Sequence, residues 1–204
     1  MKILNLIQGS EAWLIWRREH VTATDASVIL RKNPYKDPFD LWQEKLEMVT
    51  KGEVTAAMQR GTDLEPVARA LAIKVTGIEF YPAVVECDDR PWQVASLDGL
   101  SPCLRYILEI KCPNEATHVF ALQDGIHNYY MAQMQHQLAV TGAERCYYMS
   151  YRPENAKPYA IIIVEPDEEY IAELIEAEHK FFVENMCQMK QPERLDYTTW
   201  NRSG

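Results

Sequence analysis

Asp98, Glu109 and Lys111 stand in the order Asp-x10-Glu-x-Lys, within Ser96-Leu97-Asp98-Gly99 and Leu108-Glu109-Ile110-Lys111-Cys112-Pro113. Together these residue types can do cation-assisted chemistry. Two carboxylates set side by side repel unless a proton or a cation lies between them. An all-oxygen pair suits Mg²⁺ or Mn²⁺ rather than Zn²⁺. An ammonium beside them can orient a water or offset anionic charge. A surface cross-strand salt bridge is the other reading of the same three residues, and the motif alone leaves both open.

The elements that must position this set can be read outward from it. Gln93–Asp98 and Arg105–Lys111 are rich in Val, Leu, Ile and Tyr, and Gly99, Ser101 and Pro102 between them supply turn chemistry. A hairpin turning between Cys103 and Leu104 pairs position i with 207 − i, which sets Asp98 opposite Glu109. Alternation then puts Glu109 and Lys111 on one face, an exposed and charged one, with Ile110 on the other. Before the hairpin, Glu11–Arg18 reads as a helix, and Thr22 or Thr24 can cap a second helix reaching about Leu30. A helix N-terminus beside Arg17 and Arg18 can receive a phosphate, or can be ordinary capping. Phe39–Met48 is helical, and Val54–Thr76 is one long helix or two. Met58, Gly61 and Glu65 share a face if that helix is continuous. Pro66 allows a kink or a fresh start, leaving Glu65 as an exposed cap or a third acid aimed at the hairpin. Glu79–Val85 is the first strand of the pattern. Tyr129–Val140 is a helix with Tyr130, Gln133 and Gln137 on one side, and Asn114–Asn128 before it is helical in part. Arg145–Tyr151 and Tyr159–Val164 are strands, and Pro166 opens a last helix. The tail 190–204 is polar and expected to be loosely held.

The chain has 204 residues, 47% hydrophobic and 25% charged, which fits one domain, 1–204, with a sizeable core. No apolar run reaches membrane-spanning length and the N-terminus lacks a signal-peptide core, so no membrane association is expected. Five scattered cysteines without a C-x-x-C pair read as reduced thiols of a cytoplasmic protein. A net charge of −9 argues against a generic nucleic-acid binder. The distribution is uneven. Residues 1–36 carry Lys2, Arg17, Arg18, Arg31, Lys32 and Lys36 against three acids, while 165–186 carry eight acids against Lys180. A basic front could meet a polyanion, or both stretches could be solvated helix faces.

Five motifs in order carry a resemblance. They are Trp13 with Arg17 and Thr22-Ala23-Thr24, Arg60-Gly61-Thr62-Asp63-Leu64-Glu65, Ser96-Leu97-Asp98-Gly99, Leu108-Glu109-Ile110-Lys111-Cys112-Pro113, and Tyr130-Met131-Ala132-Gln133-Met134-Gln135. This set resembles the lambda-exonuclease (YqaJ-type phage recombinase) family of PD-(D/E)xK nucleases. The resemblance implies an α/β (α+β) fold, a mixed central sheet flanked by helices. It implies 5′→3′ digestion of one strand of linear double-stranded DNA, leaving 3′ overhangs for phage recombination in the bacterial host. Asp98, Glu109, Glu65 and the Ile110 carbonyl would hold Mg²⁺ or Mn²⁺, two ions in all. Lys111 would be the catalytic lysine and Gln133 would help hold water or the scissile phosphate. Arg17 and Thr24 would meet the 5′-phosphate, and Met58 would be the wedge at the duplex fork. The partners implied are DNA ends, two further copies in a homotrimer, and a phage single-strand annealing protein. Leu97 replaces the motif's usual proline, and the Asp98–Glu109 loop is one residue longer than in the lambda enzyme. Phosphodiester hydrolysis fits these residues: two divalent ions neutralise attacking and leaving oxygens and bring +4 to an acidic chain. An endonuclease of restriction or resolvase type on the same fold is one alternative. A DNA-end-binding module with a dead site is the other, although its expected loss of an acid or lysine is not seen. A four-cysteine iron–sulfur relative is disfavoured, since Cys187 stands alone in the C-terminal region.

Overall fold

A computed structural model describes residues 1–49 and 55–194. The elements run β1 (Lys2–Leu4), α1 (Glu11–Glu19), β2 (Val21–Thr22), α2 (Ala23–Ile29), α3 (Pro38–Lys45), α4 (Ala56–Thr76), β3 (Tyr81–Glu86), β4 (Gln93–Leu100), β5 (Tyr106–Lys111), α5 (Glu115–Ala121), α6 (Asn128–Thr141), β6 (Arg145–Tyr151), β7 (Tyr159–Val164) and α7 (Glu168–Lys180). α7 continues as a π-helical stretch, Phe181–Cys187. Among the described residues one mixed sheet has the order β1-β3-β4-β5-β6-β7, with β2 paired to β4. The β5–β6 and β2–β4 pairings are parallel and the others antiparallel. This is the mixed sheet with flanking helices that the family resemblance implies.

The expected hairpin register holds. Gly99 pairs with Leu108 and Leu100 with Ile107, each pair summing to 207. Gly99 is required there by crowding, since a Cβ would fall 2.7 Å from the Phe80 Cβ and 2.9 Å from that of Leu108. Strand alternation then sorts β5 between two cores. Ile107 joins Leu97, Met134, Leu138 and Tyr148 on the α6 side. Leu108 and Ile110 join Ala68, Ala72, Phe80 and Met149 on the α4 side. Ala68 and Ala72 sit four apart on α4 and are fully buried, so small side chains form the buried face of that helix.

Several expectations change. α4 is a single helix running through Pro66, so Glu65 lies mid-helix rather than at a break. Its Gly77 cap takes the left-handed conformation, φ 71°. β1 and β2 were not expected; at three and two residues they are too short to show alternation. The first expected strand is shifted to Tyr81–Glu86. The start of Val54–Thr76 and most of the tail 190–204 fall at 50–54 and 195–204, outside the described residues.

Candidate active site

β5 ends in Glu109-Ile110-Lys111, and its alternation turns Glu109 and Lys111 to the α6 side. The Lys111 Nζ lies 2.6 Å from the Glu109 Oε1. The Ile110 N–H donates to the Asp98 Oδ2 at 2.7 Å, which locks Asp98 across the end of the hairpin. The expected exposed face is not exposed. Glu109 is 2% accessible and Lys111 is half-buried. The cause is α6, which covers this face. Gln133 accepts the Lys111 ammonium at 3.0 Å and donates to the Glu109 Oε1 at 2.6 Å. Gln137 donates to the Glu109 Oε2 at 2.6 Å. Two amides spaced four apart on one helix thus grip the two oxygens of a single carboxylate.

Burial and charge act against each other here. Burial and the neighbouring Glu109 push the Asp98 carboxyl well above the usual carboxylate range. Burial alone would lower Lys111, but the charges of Glu109 and Asp98 outweigh it and hold the amine above its ordinary value. Lys111 is therefore an ammonium that supplies charge and N–H donors. Glu65 on α4 is raised by burial and by Glu109, against the pull of Arg69. Arg69 pairs with Glu65 and also donates its Nε–H to the Asp98 carbonyl at 2.6 Å. One guanidinium therefore ties α4 to the strand that carries Asp98.

Two more of the predicted site residues, Arg17 and Thr24, come from α1 and α2. The Arg17 guanidinium donates to the Thr24 hydroxyl at 2.8 Å and lies 4.6 Å over the Trp13 ring. Trp13 donates its indole N–H to Ser96 at 2.8 Å, which anchors α1 to β4 two residues from Asp98. Behind Arg17, Lys45 bonds the buried Asp25 at 2.6 Å and donates to the Arg17 and His20 carbonyls. Burial would raise Asp25, but Lys45, Arg17 and the Thr22 N–H outweigh it and hold the carboxyl below its usual range. Arg18 faces away and pairs with Glu47. All nine residues predicted as a site line one cleft of about 1010 Å³: Asp98, Glu109, Ile110, Lys111, Glu65, Gln133, Arg17, Thr24 and Met58. Met58 sits in the first turn of α4 and is 58% exposed.

The model of the YqaJ-like viral recombinase domain matches residues 12–144, which holds every one of these residues. The chain belongs to the YqaJ-like viral recombinase family. It is 28% identical over 201 residues to the uncharacterized protein YqaJ of Bacillus subtilis, covering 92% of this chain and 60% of that one. It is 28% identical over 163 residues to an uncharacterized protein of Acanthamoeba polyphaga mimivirus, of which it spans 29%. Among solved structures, the alkaline exonuclease LHK-Exo from Laribacter hongkongensis superposes with a TM-score of 0.77 at 31% identity, over 88% of this chain and 94% of that one. That exonuclease has also been solved in complex with dAMP. A phage-related exonuclease from Haemophilus somnus shares the fold at a TM-score of 0.62 and 16% identity, over 84% of this chain and 96% of that one.

Two of the three acids are paired from within the chain, Glu65 with Arg69 and Glu109 with Lys111. Among the described residues no group of three or more acidic, cysteine or histidine side chains is arranged to hold a metal ion. Glu65 turns to Arg69, and both Glu109 oxygens are occupied by Lys111 and the two glutamines. The donor set still fits a divalent cation. Asp98 and Glu109 are both oxygen donors, and burial with the neighbouring Glu109 charge raises Asp98, a setting in which a cation would favour the charged Asp98 carboxylate. Arg69 and Gln137 were not predicted. Gln137 was placed on the right face of its helix, but only the packing of α6 on β5 gives it a carboxylate.

Proposed function

We propose that the chain is a deoxyribonuclease that digests one strand of linear double-stranded DNA from the 5′ end and leaves 3′ single strands for phage-type recombination. The observation that carries this is one cleft, in a YqaJ-like family member, lined both by Asp98, Glu109, Glu65 and Lys111 and by Arg17 with Thr24. The likeness to LHK-Exo, described as an alkaline exonuclease, supports it. In this reading the site is of the PD-(D/E)xK type. Asp98, Glu109, Glu65 and the Ile110 carbonyl would hold Mg²⁺ or Mn²⁺, two ions. When bound, such ions supply an activated water and neutralise the leaving oxygen. The chain's own groups do the remainder. The Lys111 ammonium offsets phosphate charge and, with Gln133, orients the attacking water. Arg17 and Thr24 receive the terminal 5′-phosphate, an arrangement suited to a fork of N–H donors. Met58 stands exposed at the cleft rim as the wedge where the strands part.

The same reading makes the protein a homotrimer that encloses DNA, works beside a phage single-strand annealing protein, and acts in the cytoplasm of a bacterial host. A monomeric mass by light scattering at micromolar protein, with processive digestion retained, would remove the ring. The activity is tested with end-labelled linear duplex, 5′-phosphorylated or not, in Mg²⁺ or EDTA. Mononucleotides released from the 5′ end in Mg²⁺ alone, with circular plasmid left intact, are expected. Nicking of the circle would instead make it an endonuclease.

A further inference from the structure

One wall of the cleft is aromatic. Tyr35, Tyr129 and Tyr130 line it. The Lys111 Nζ sits 5.1 Å over the Tyr130 ring, and Tyr129 meets Tyr130 edge-on at 4.3 Å. From there the row leads away from the acids. His127 lies flat on Tyr129, with centroids 5.2 Å apart and planes 11° apart. Phe120 follows, 4.9 Å from His127. On the other side Tyr35 stands edge-on to Tyr129 at 6.2 Å.

The two ends of the row are held in water. Tyr35 is 82% exposed and Phe120 41%. Both are seated by built features. The Asn33 Oδ1 accepts the N–H groups of Tyr35 and Lys36, while its amide donates to Ser27. Phe120 lies against Gly125, where any Cβ would fall 2.4 Å from the ring. Exposed rings forgo the burial that normally fixes aromatic side chains. Tyr35, Tyr129 and Tyr130 share the cleft with Arg17 and Arg152, and His127 and Phe120 extend the row beyond the cleft lining, so the row offers ring surface to bases beside charge for phosphates. Bases inside a duplex are stacked on each other, whereas the bases of a single strand are free to stack in succession on aromatic side chains.

We propose that Tyr35, Tyr129, His127 and Phe120 form a stacking platform for the unpaired bases of single-stranded DNA, with Tyr35 as the outermost ring. The inference rests on the nuclease reading and names what the cleft does with a strand once it is separated. Its test is the binding of two fluorescent oligomers of equal length in EDTA, one of thymidine and one abasic, read by anisotropy. Wild-type protein should bind the thymidine oligomer more tightly. Tyr35→Ala should weaken that binding by about tenfold and leave the abasic oligomer nearly unchanged, while Tyr35→Phe should keep most of the affinity. Phe120→Ala is the second variant, with a smaller loss of the same kind. Equal losses on both oligomers would make Tyr35 a backbone contact and overturn the platform. So would full affinity in both alanine variants, which would leave the row as a surface for a protein. Duplex cleavage in Mg²⁺ is measured alongside. Cleavage without base-dependent binding removes the platform alone, and absence of both removes the nuclease reading with it.

Discussion

Gln137→Leu separates what α6 does for stability from what it does for the acids. Gln137 is fully buried, its Nε2 gives the Glu109 Oε2 a hydrogen bond, and its own Oε1 is buried without a partner. Losing a hydrogen bond to a charged group costs about 1.5–3 kcal/mol, and removing an unsatisfied buried carbonyl returns about 1–3 kcal/mol. Leucine fills nearly the same volume, so the two effects offset in part; the Glu109 Oε2 left buried without a donor adds a further cost, and a net loss of about 1–3 kcal/mol is expected, at roughly 2–4 °C of melting temperature per kcal/mol for a chain this long. Catalysis has no such compensation. Glu109 would keep Lys111 and Gln133 on one oxygen and lose its grip on the other, so cleavage should fall roughly ten- to a hundredfold. The assay is digestion of 5′-phosphorylated linear duplex in Mg²⁺ beside thermal melting. Wild-type turnover in a folded Gln137→Leu protein would refute the claim that the second amide positions Glu109. A loss of stability far beyond about 3 kcal/mol would show that the Gln137 carbonyl has a partner.

Three further outcomes follow from the same geometry. Lys111→Ala and Asp98→Ala should each abolish cleavage while the fold persists by circular dichroism; turnover in either would undo the active-site assignment. Arg17→Ala should erase the preference for 5′-phosphorylated over 5′-hydroxyl ends, a loss of about 1.5–3 kcal/mol, whereas Arg18→Ala, whose partner Glu47 lies off the cleft, should keep it. His136 gives the pH prediction. Its two ring nitrogens face only acceptors, the Glu178 carboxylate at 2.7 Å and the Val94 carbonyl at 2.9 Å. Burial would lower its pKa, but the Glu178 charge and hydrogen bond outweigh it and raise the value above 6.5. The stability this contributes is therefore full below pH 6.5 and is lost as pH climbs through the folded value. Melting temperature should fall as pH rises above 6.5 in the wild type and much less in His136→Gln; matching slopes would refute the buried imidazolium.

How much of this was readable from the chain depends on how far each contact reaches. The hairpin is local: two β-rich runs and a short turn fix the register, and Asp98, Glu109 and Lys111 follow from it. The expectation failed at their surroundings, because alternation says which face Glu109 occupies but not what covers that face. The cover is α6, whose Gln133 stands 24 residues beyond Glu109, and its apolar positions Met134 and Leu138 pack into the same core as Ile107. That packing brings Gln133 and Gln137 over the acid. The acidic stretch 165–186, readable as a solvated helix, misleads for the same reason. Glu178 lies wholly inside, accepting from Gln93 at 2.8 Å and bonded to His136. An acid on a charged helix has no local mark of burial; the mark is its partners, which stand on β4 and α6. Arg69 shows the limit most sharply. Its four-residue spacing from Glu65 suggests an ordinary helical pair, yet its Nε reaches the Asp98 carbonyl across to the sheet. The acids that would do chemistry could thus be named from the sequence. The groups that set their charge come from packing, and Gln137→Leu probes that second layer.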